Sequence, residues 1–219
     1  MKIAELLWPR RCLNCGTAIR EAWLCDECLE LIRPRMSTLR VQKGFNEISC
    51  NVLALNAYGD GWKKSMEDYK FRSAYRLSEG FGYLAAITLR EFADIETYDI
   101  ITFVPMTRKK VRARGYNQAM KLAESVAKEL SLPCEMLLDK VKDNRTQHTL
   151  SRKERQKNVI GVYGTINENI KDKKIILIDD IITTGATLRE CCSVLLEAGA
   201  LEVTCLCMAY EERKHNAES

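Results

Sequence analysis

A chain of 219 residues, 46% hydrophobic and 29% charged, has the length for one medium domain plus a small appendage, and enough apolar mass for a core. No apolar run approaches the roughly 18 residues of a membrane span, and the opening MKIAELLWPRR lacks the apolar stretch of a secretory signal; a cytoplasmic protein without membrane insertion is expected. The net charge of +4 does not by itself imply a nucleic-acid partner.

Residues 1–35 form a short cysteine-rich segment closing on Arg33-Pro34-Arg35. It contains Cys12-x-x-Cys15 and, nine residues on, Cys25-x-x-Cys28. Two such knuckles supply four thiolates to a tetrahedral Zn²⁺, and Gly16 permits the tight turn after the first pair. A metal would also let so small and weakly apolar a unit fold. A redox pair is the competing reading, but two pairs this close suit a metal better. With four protein ligands and no open position for water, the zinc would be structural. The other six cysteines, Cys50, Cys134, Cys191, Cys192, Cys205 and Cys207, lie in apolar segments and read as small buried hydrophobes in a reducing compartment.

Residues 36–50 are polar and weakly patterned, and are expected to be a linker or irregular strand. Asn51–Tyr58 reads as a strand and Asp60–Tyr69 as a short helix. In Arg76–Phe92, Leu77, Phe81, Leu84, Ala85 and Leu89 fall at helical spacing. Asp99–Val104 is an apolar run stopped by Pro105, which suits a buried parallel strand. From Ile100 to Ala123 there are six basic residues and no acidic one, and five of the six lie within Arg108–Arg114. That run reads either as a patch for an anionic partner or as a solvated helix face. Asn117–Leu130 is expected as a helix, Glu135–Val141 as a strand, and residues 143–158 as a long loop. Lys174–Ile178, Ala186–Ala198 and Glu202–Ala209 then read as strand, helix and strand, with Gly199 at the helix C-cap. The alternation predicts an α/β domain over residues 51–219, a parallel sheet flanked by helices.

The segment KKIILIDDIITTGATL, Lys173–Leu188, carries the chemistry. An apolar strand delivers Asp179 and Asp180 to its carboxyl end, where ligands of open α/β sheets bind. Thr183, Thr184, Gly185, Ala186 and Thr187 then turn into a helix, offering free N–H groups and hydroxyls to a phosphate. Capping a helix needs one polar residue rather than this ordered set. The Gly-Lys-Ser/Thr ending of a Walker A loop is missing. Four apolar residues, two acids, two variable residues and Thr-Thr-Gly resemble the phosphoribosyl-diphosphate (PRPP) motif of type I phosphoribosyltransferases. There the acids would accept from the ribose 2′- and 3′-hydroxyls and the loop would hold the 5′-phosphate.

Taken in order, these pieces resemble the ComF family over nearly the whole chain. The paired Cys-x-x-Cys comes first. Lys70-Phe71-Arg72 matches a Lys-Phe-Arg-Gly element, with Ser73 in place of the glycine. Val104-Pro105 and Arg114-Gly115-Tyr116-Asn117-Gln118-Ala119 match its next element, with Met106 where leucine and Thr107 where histidine is usual. Arg145-Thr146, Leu150, Arg155 and Asn158 match the segment before the PRPP motif. The resemblance implies a type I phosphoribosyltransferase fold with an N-terminal zinc ribbon. It implies a pyrophosphate loop at Val104, Pro105, Arg108 and Lys109, a hood loop over residues 143–158 with Arg145 and Arg152 reaching the reaction, and Mg²⁺ bound with PRPP. It also implies a role in DNA uptake, with single-stranded DNA tracked by Lys70, Arg72, Arg112 and Arg114, helped by Lys63 and Lys64. Trp62, Tyr69, Phe71 and Tyr116 would stack bases; the alternative places these aromatics in the core. Two other readings stand beside this one: a phosphoribosyltransferase acting on an unidentified acceptor, and a PRPP-regulated adaptor whose ribbon docks a helicase-like component of the uptake machinery.

Overall fold

The computed structural model describes residues 10–20, 22–71, 75–141, 161–166 and 169–211. Its centre is a five-stranded sheet in the order β3 (Arg35–Lys43), β4 (Asn46–Ala57), β9 (Glu202–Tyr210), β8 (Lys174–Ile182), β5 (Ile100–Phe103). β3 runs antiparallel to β4, and the other four strands are parallel. The carboxyl ends of β4, β9, β8 and β5 therefore share one edge.

One face of the sheet is covered by α2 (Asp60–Phe71), α3 (Tyr75–Phe92) and α5 (Gln118–Leu130). Ile101, Phe103, Ile176, Ile178, Leu206 and Met208 point to this side. The other face is covered by α6 (Ala186–Glu197) and a two-stranded ribbon of β6 (Leu138–Lys140) and β7 (Tyr163–Thr165). Ile175, Leu177, Val203, Cys205 and Cys207 point there, against Leu188, Cys191, Cys192, Leu195 and Leu196. Both faces of the parallel strands are buried, which is why they read as continuous apolar runs.

Residues 36–50, expected as a linker or irregular strand, are most of β3 and the first part of β4. An edge strand buries only alternate residues, here Leu39 and Val41, so its apolar signal is brief. The strand expected over Glu135–Val141 shrinks to β6 and pairs antiparallel with β7, outside the main sheet. The basic run forms a helix, α4 (Arg108–Arg114). The stretch 143–158, expected as a loop, lies outside the described residues.

At the N-terminus, β1 (Arg10–Arg11), β2 (Ala18–Ile19) and α1 (Asp26–Leu29) make a small module. It packs onto the main body: Cys12, Leu13, Leu24 and Cys28 share one buried cluster with Trp62, Met66 and Phe81. Glycines permit the approach. A Cβ on Gly61 would lie 2.2 Å from the Asn14 carbonyl oxygen, and one on Gly80 would lie 2.4 Å from the Trp23 ring. Among the described residues no helix is long and apolar enough to cross a membrane.

Candidate functional site

β5 and β8 are parallel neighbours, so the loops that leave them start side by side. The Val104 N–H donates to the Ile178 carbonyl at 2.9 Å. Val104 and Pro105 are buried, while Arg108 and Lys109 are exposed. The two loops expected to meet pyrophosphate and ribose phosphate thus open on the same sheet edge.

The residues from Arg114 to Gln118 hold this arrangement. Gly115, at φ 91°, ends α4 in the left-handed region. The Tyr116 hydroxyl donates to the Tyr69 carbonyl on α2. Asn117 caps α5 through the Met120 N–H and donates Nδ2 to the Val104 carbonyl at 3.1 Å. The Tyr69 hydroxyl donates to the Gln118 carbonyl at 2.6 Å. Arg114, a nucleic-acid candidate in the sequence, is half-buried and donates to Gln118 Oε1 at 2.8 Å. Arg112 is exposed. Trp62 and Tyr69 are core residues, with the Trp62 Nε1–H donated to the Met208 carbonyl at 2.8 Å, so neither is placed to stack a base. Burial also holds the Tyr69 phenol protonated, far above its ordinary range. Lys70 lies in the last turn of α2; its side chain, with Arg72, Arg145 and Arg152, falls outside the described residues.

At the end of β8 the strand's alternation shifts by one residue. Ile176 and Ile178 face the α3 side, yet Ile181 does too, and Ile182 turns to the α6 side. β9 makes the same shift between Met208 and Ala209. The two acids sit at this shift: Asp179 Oδ1 accepts from the Asp180 N–H at 2.8 Å, and Asp180 Oδ1 from the Ile181 N–H at 2.7 Å. Asp179 pairs with Cys207, which faces the α6 side, and Asp180 is the next residue, level with Met208, which faces the α3 side. The carboxylates thus straddle the strand end.

Gly185 adopts φ 72° where the chain turns into α6. A side chain there would be strained, and its Cβ would come within 2.8 Å of Leu39 Cδ2. Thr184 Oγ1 accepts from the Ala186 N–H at 3.3 Å. Thr183 is exposed, and the Thr187 side chain is hydrogen-bonded to the Tyr163 hydroxyl. Tyr163 is buried, its phenol pushed up by desolvation, and the Lys140 ammonium lies 5.4 Å from its ring centre. Neither Tyr163 nor Lys140 was found by sequence reasoning; both come from the short ribbon, and nothing in their local pattern marks them.

The four thiols Cys12, Cys15, Cys25 and Cys28 come together with their sulfurs all within 4.8 Å of one another. Cys15 Sγ and Cys25 Sγ are 3.7 Å apart. A tetrahedral zinc with bonds of about 2.3 Å spaces its sulfurs by about 3.8 Å, so the set fits such a metal. The Asn14 N–H and Nδ2 approach the sulfurs of Cys12 and Cys28 at 3.4 Å, the outer-shell donors that steady thiolate ligands. The Cys15 thiol donates to the Thr17 hydroxyl at 3.2 Å, a further polar neighbour at the edge of the cluster.

Comparison with known proteins agrees with this geometry. A family model described as "Phosphoribosyl transferase domain" matches residues 117–218. The chain is 28% identical over 144 residues to competence protein F of Haemophilus influenzae, covering 63% of each chain. It is 30% identical over 224 residues to the DNA utilization protein YhgH of Salmonella typhi, covering 91% of this chain and 97% of that one. Among solved structures, the allosteric regulatory enzyme of purine biosynthesis aligns with 65% of this chain and 30% of its own, at 23% identity and a TM-score of 0.45. With a relative at 30% identity along almost its full length, the paired thiol knuckles and the phosphoribosyltransferase sheet, the chain belongs to the ComF family of phosphoribosyltransferase-fold proteins with an N-terminal four-cysteine module.

Proposed function

We propose that this protein binds PRPP with Mg²⁺ at the carboxyl end of β8 and acts in the handling of incoming DNA in the cytoplasm. The observation that carries the first part is the convergence of the two loops: Asp179, Asp180 and the Thr183–Thr187 turn stand beside Val104–Lys109 on one sheet edge. Mg²⁺ prefers phosphate oxygens and one or two carboxylates, which suits a diphosphate set before this acid pair. Zn²⁺ in the thiol cluster is a structural element of the same reading. Calorimetric titration with PRPP and Mg²⁺ tests it. Replacing Asp179 and Asp180 together by asparagine should abolish binding while the fold persists. Unchanged affinity in the double variant would overturn the assignment.

The DNA part draws on the names of the relatives and on α4, where Arg108, Lys109, Lys110 and Arg112 are exposed next to the pyrophosphate loop. Single-stranded DNA retained on filters at low salt and released as salt rises is the expected result. Flat or absent retention at low salt would remove direct DNA binding. Association would then run through another component, such as a helicase of the uptake machinery. Diphosphate release from PRPP in the presence of a nucleobase or amine would extend the reading to catalytic transfer.

A further inference from the structure

The Thr183–Thr187 loop contains no basic residue. The first cation on α6, Arg189, donates its Nε–H to the Arg40 carbonyl at 3.0 Å. A sugar 5′-phosphate carries between one and a half and two negative charges near neutral pH. Backbone amides and threonine hydroxyls alone would have to balance it.

β3 brings a cation to the same sheet edge, with β4 and β9 between it and β8. Because β3 runs antiparallel, its first residue, Arg35, lies at the carboxyl edge of the sheet. The register is Arg35 to Ala54, Ala54 to Cys207 and Cys207 to Asp179, so Arg35 is level with the first acid. It shares strand parity with Leu39 and Val41, which face the α6 side. Leu39 lies directly against Gly185, so this face of β3 runs beneath the junction of loop and helix. The Arg35 guanidinium sits 5.3 Å from the centre of the Tyr210 ring, and Tyr210 pairs with Ile182, the residue before Thr183. Among the described residues no carboxylate forms an ion pair with Arg35, which is exposed. An arginine stacked on an aromatic ring keeps its N–H fork available for a phosphate.

We propose that Arg35 is a binding residue for the 5′-phosphate of the pentose ligand, supplied by β3 and held in place by Tyr210. This rests on the PRPP reading above. The experiment titrates the full chain, with Mg²⁺, against PRPP, ribose 5-phosphate and inorganic pyrophosphate. Arg35→Gln should weaken PRPP and ribose 5-phosphate about ten- to a hundredfold and leave pyrophosphate unchanged. Arg35→Lys should fall between, since an ammonium neither forks nor stacks as well. Tyr210→Leu should weaken the same two ligands by a smaller factor. A far-ultraviolet spectrum and melting curve for each variant separate lost binding from lost fold. Equal affinity of wild type and Arg35→Gln for ribose 5-phosphate and PRPP would overturn the proposal, as would an equal loss for all three ligands. A wild-type chain that binds neither PRPP nor ribose 5-phosphate would instead remove the parent reading, and this one with it.

Discussion

Thr107 stands where the family resemblance leads one to expect histidine, so the imidazole is absent from the loop that follows β5. The structure gives the threonine its own work. Extended at φ −61° and ψ 147°, it caps α4, its hydroxyl accepting from the Lys110 N–H at 3.3 Å. A cap matters more in a seven-residue helix crowded with like charges, which gains little from propagation. Thr107→Ala should cost about 1 kcal/mol, or roughly 2–4 °C in melting temperature for a chain of this size. Thr107→Ser should restore most of it. Thermal denaturation followed by circular dichroism checks this, and equal melting of Ala and Ser variants would refute the capping role. Residues of this kind were only half legible in the sequence. The acids, the glycine and the four thiols announced themselves because their chemistry needs fixed spacing. Tyr163, Lys140 and Arg35 did not, because they reach the site from strands whose pairing no local pattern encodes. Of the two readings open for the aromatics, the core one holds for Trp62 and Tyr69, and packing distant in sequence decides it: Trp62 meets Met208 on β9, and Tyr69 meets Phe81 on α3 and Gln118 on α5.

The strong elements were legible because apolar period and length agreed with burial on both faces. β3 and α4 were legible only as one of two readings each, because an edge strand and a short charged helix carry too few buried residues to impose a period. The shift in alternation at the end of β8 also escaped, since it is shared with β9 across the sheet; there the Asp179 and Asp180 carboxylates accept the N–H of the next residue. At the opposite end of β8 another aspartate fastens two elements. Asp99, just before β5, accepts the Lys174 N–H at 2.8 Å and the Lys173 ammonium at 3.1 Å. The Lys174 amide foremost, and then the Lys173 ammonium, hold its carboxyl below the ordinary 3.8. Its folded value is depressed, so its stabilisation is present above about pH 4 and is lost as pH falls through the lowered value. Partly exposed as it is, the screened pair contributes only about 0.5 kcal/mol. Asp99→Asn should therefore be slightly less stable than wild type in urea at pH 7, and the gap should be narrower at pH 3. A gap of equal size at both pH values would show that the carboxylate charge is not its source.

At the scale of the molecule, the question is whether the cysteine module is an appendage or part of the core. A chain read as 1–35 and 51–219 joined by a linker treats it as an appendage. The packing makes it a wall of the core: Cys12, Leu13, Leu24 and Cys28 are buried against Trp62, Met66 and Phe81, and the Ser65 hydroxyl donates to the Leu13 carbonyl. Without a metal the four sulfurs lose the bonds that tie the two knuckles together, and so small a unit has little apolar area of its own to replace them. Stripping zinc with a zinc-selective chelator should then do more than melt a peripheral piece. The main thermal transition itself should fall and broaden, because α2 loses its cover. PRPP affinity should weaken with it, since α2 carries the Tyr69 hydroxyl and carbonyl that anchor Gln118 and Tyr116 beside the site. Gly61→Ala tests the same coupling with zinc in place. Its Cβ would strike the Asn14 carbonyl, so the module should lift while its four ligands stay intact. Calorimetry of the variant should reproduce part of the chelator's effect at full zinc content. An unchanged main transition in both experiments would mean that the module folds and melts on its own.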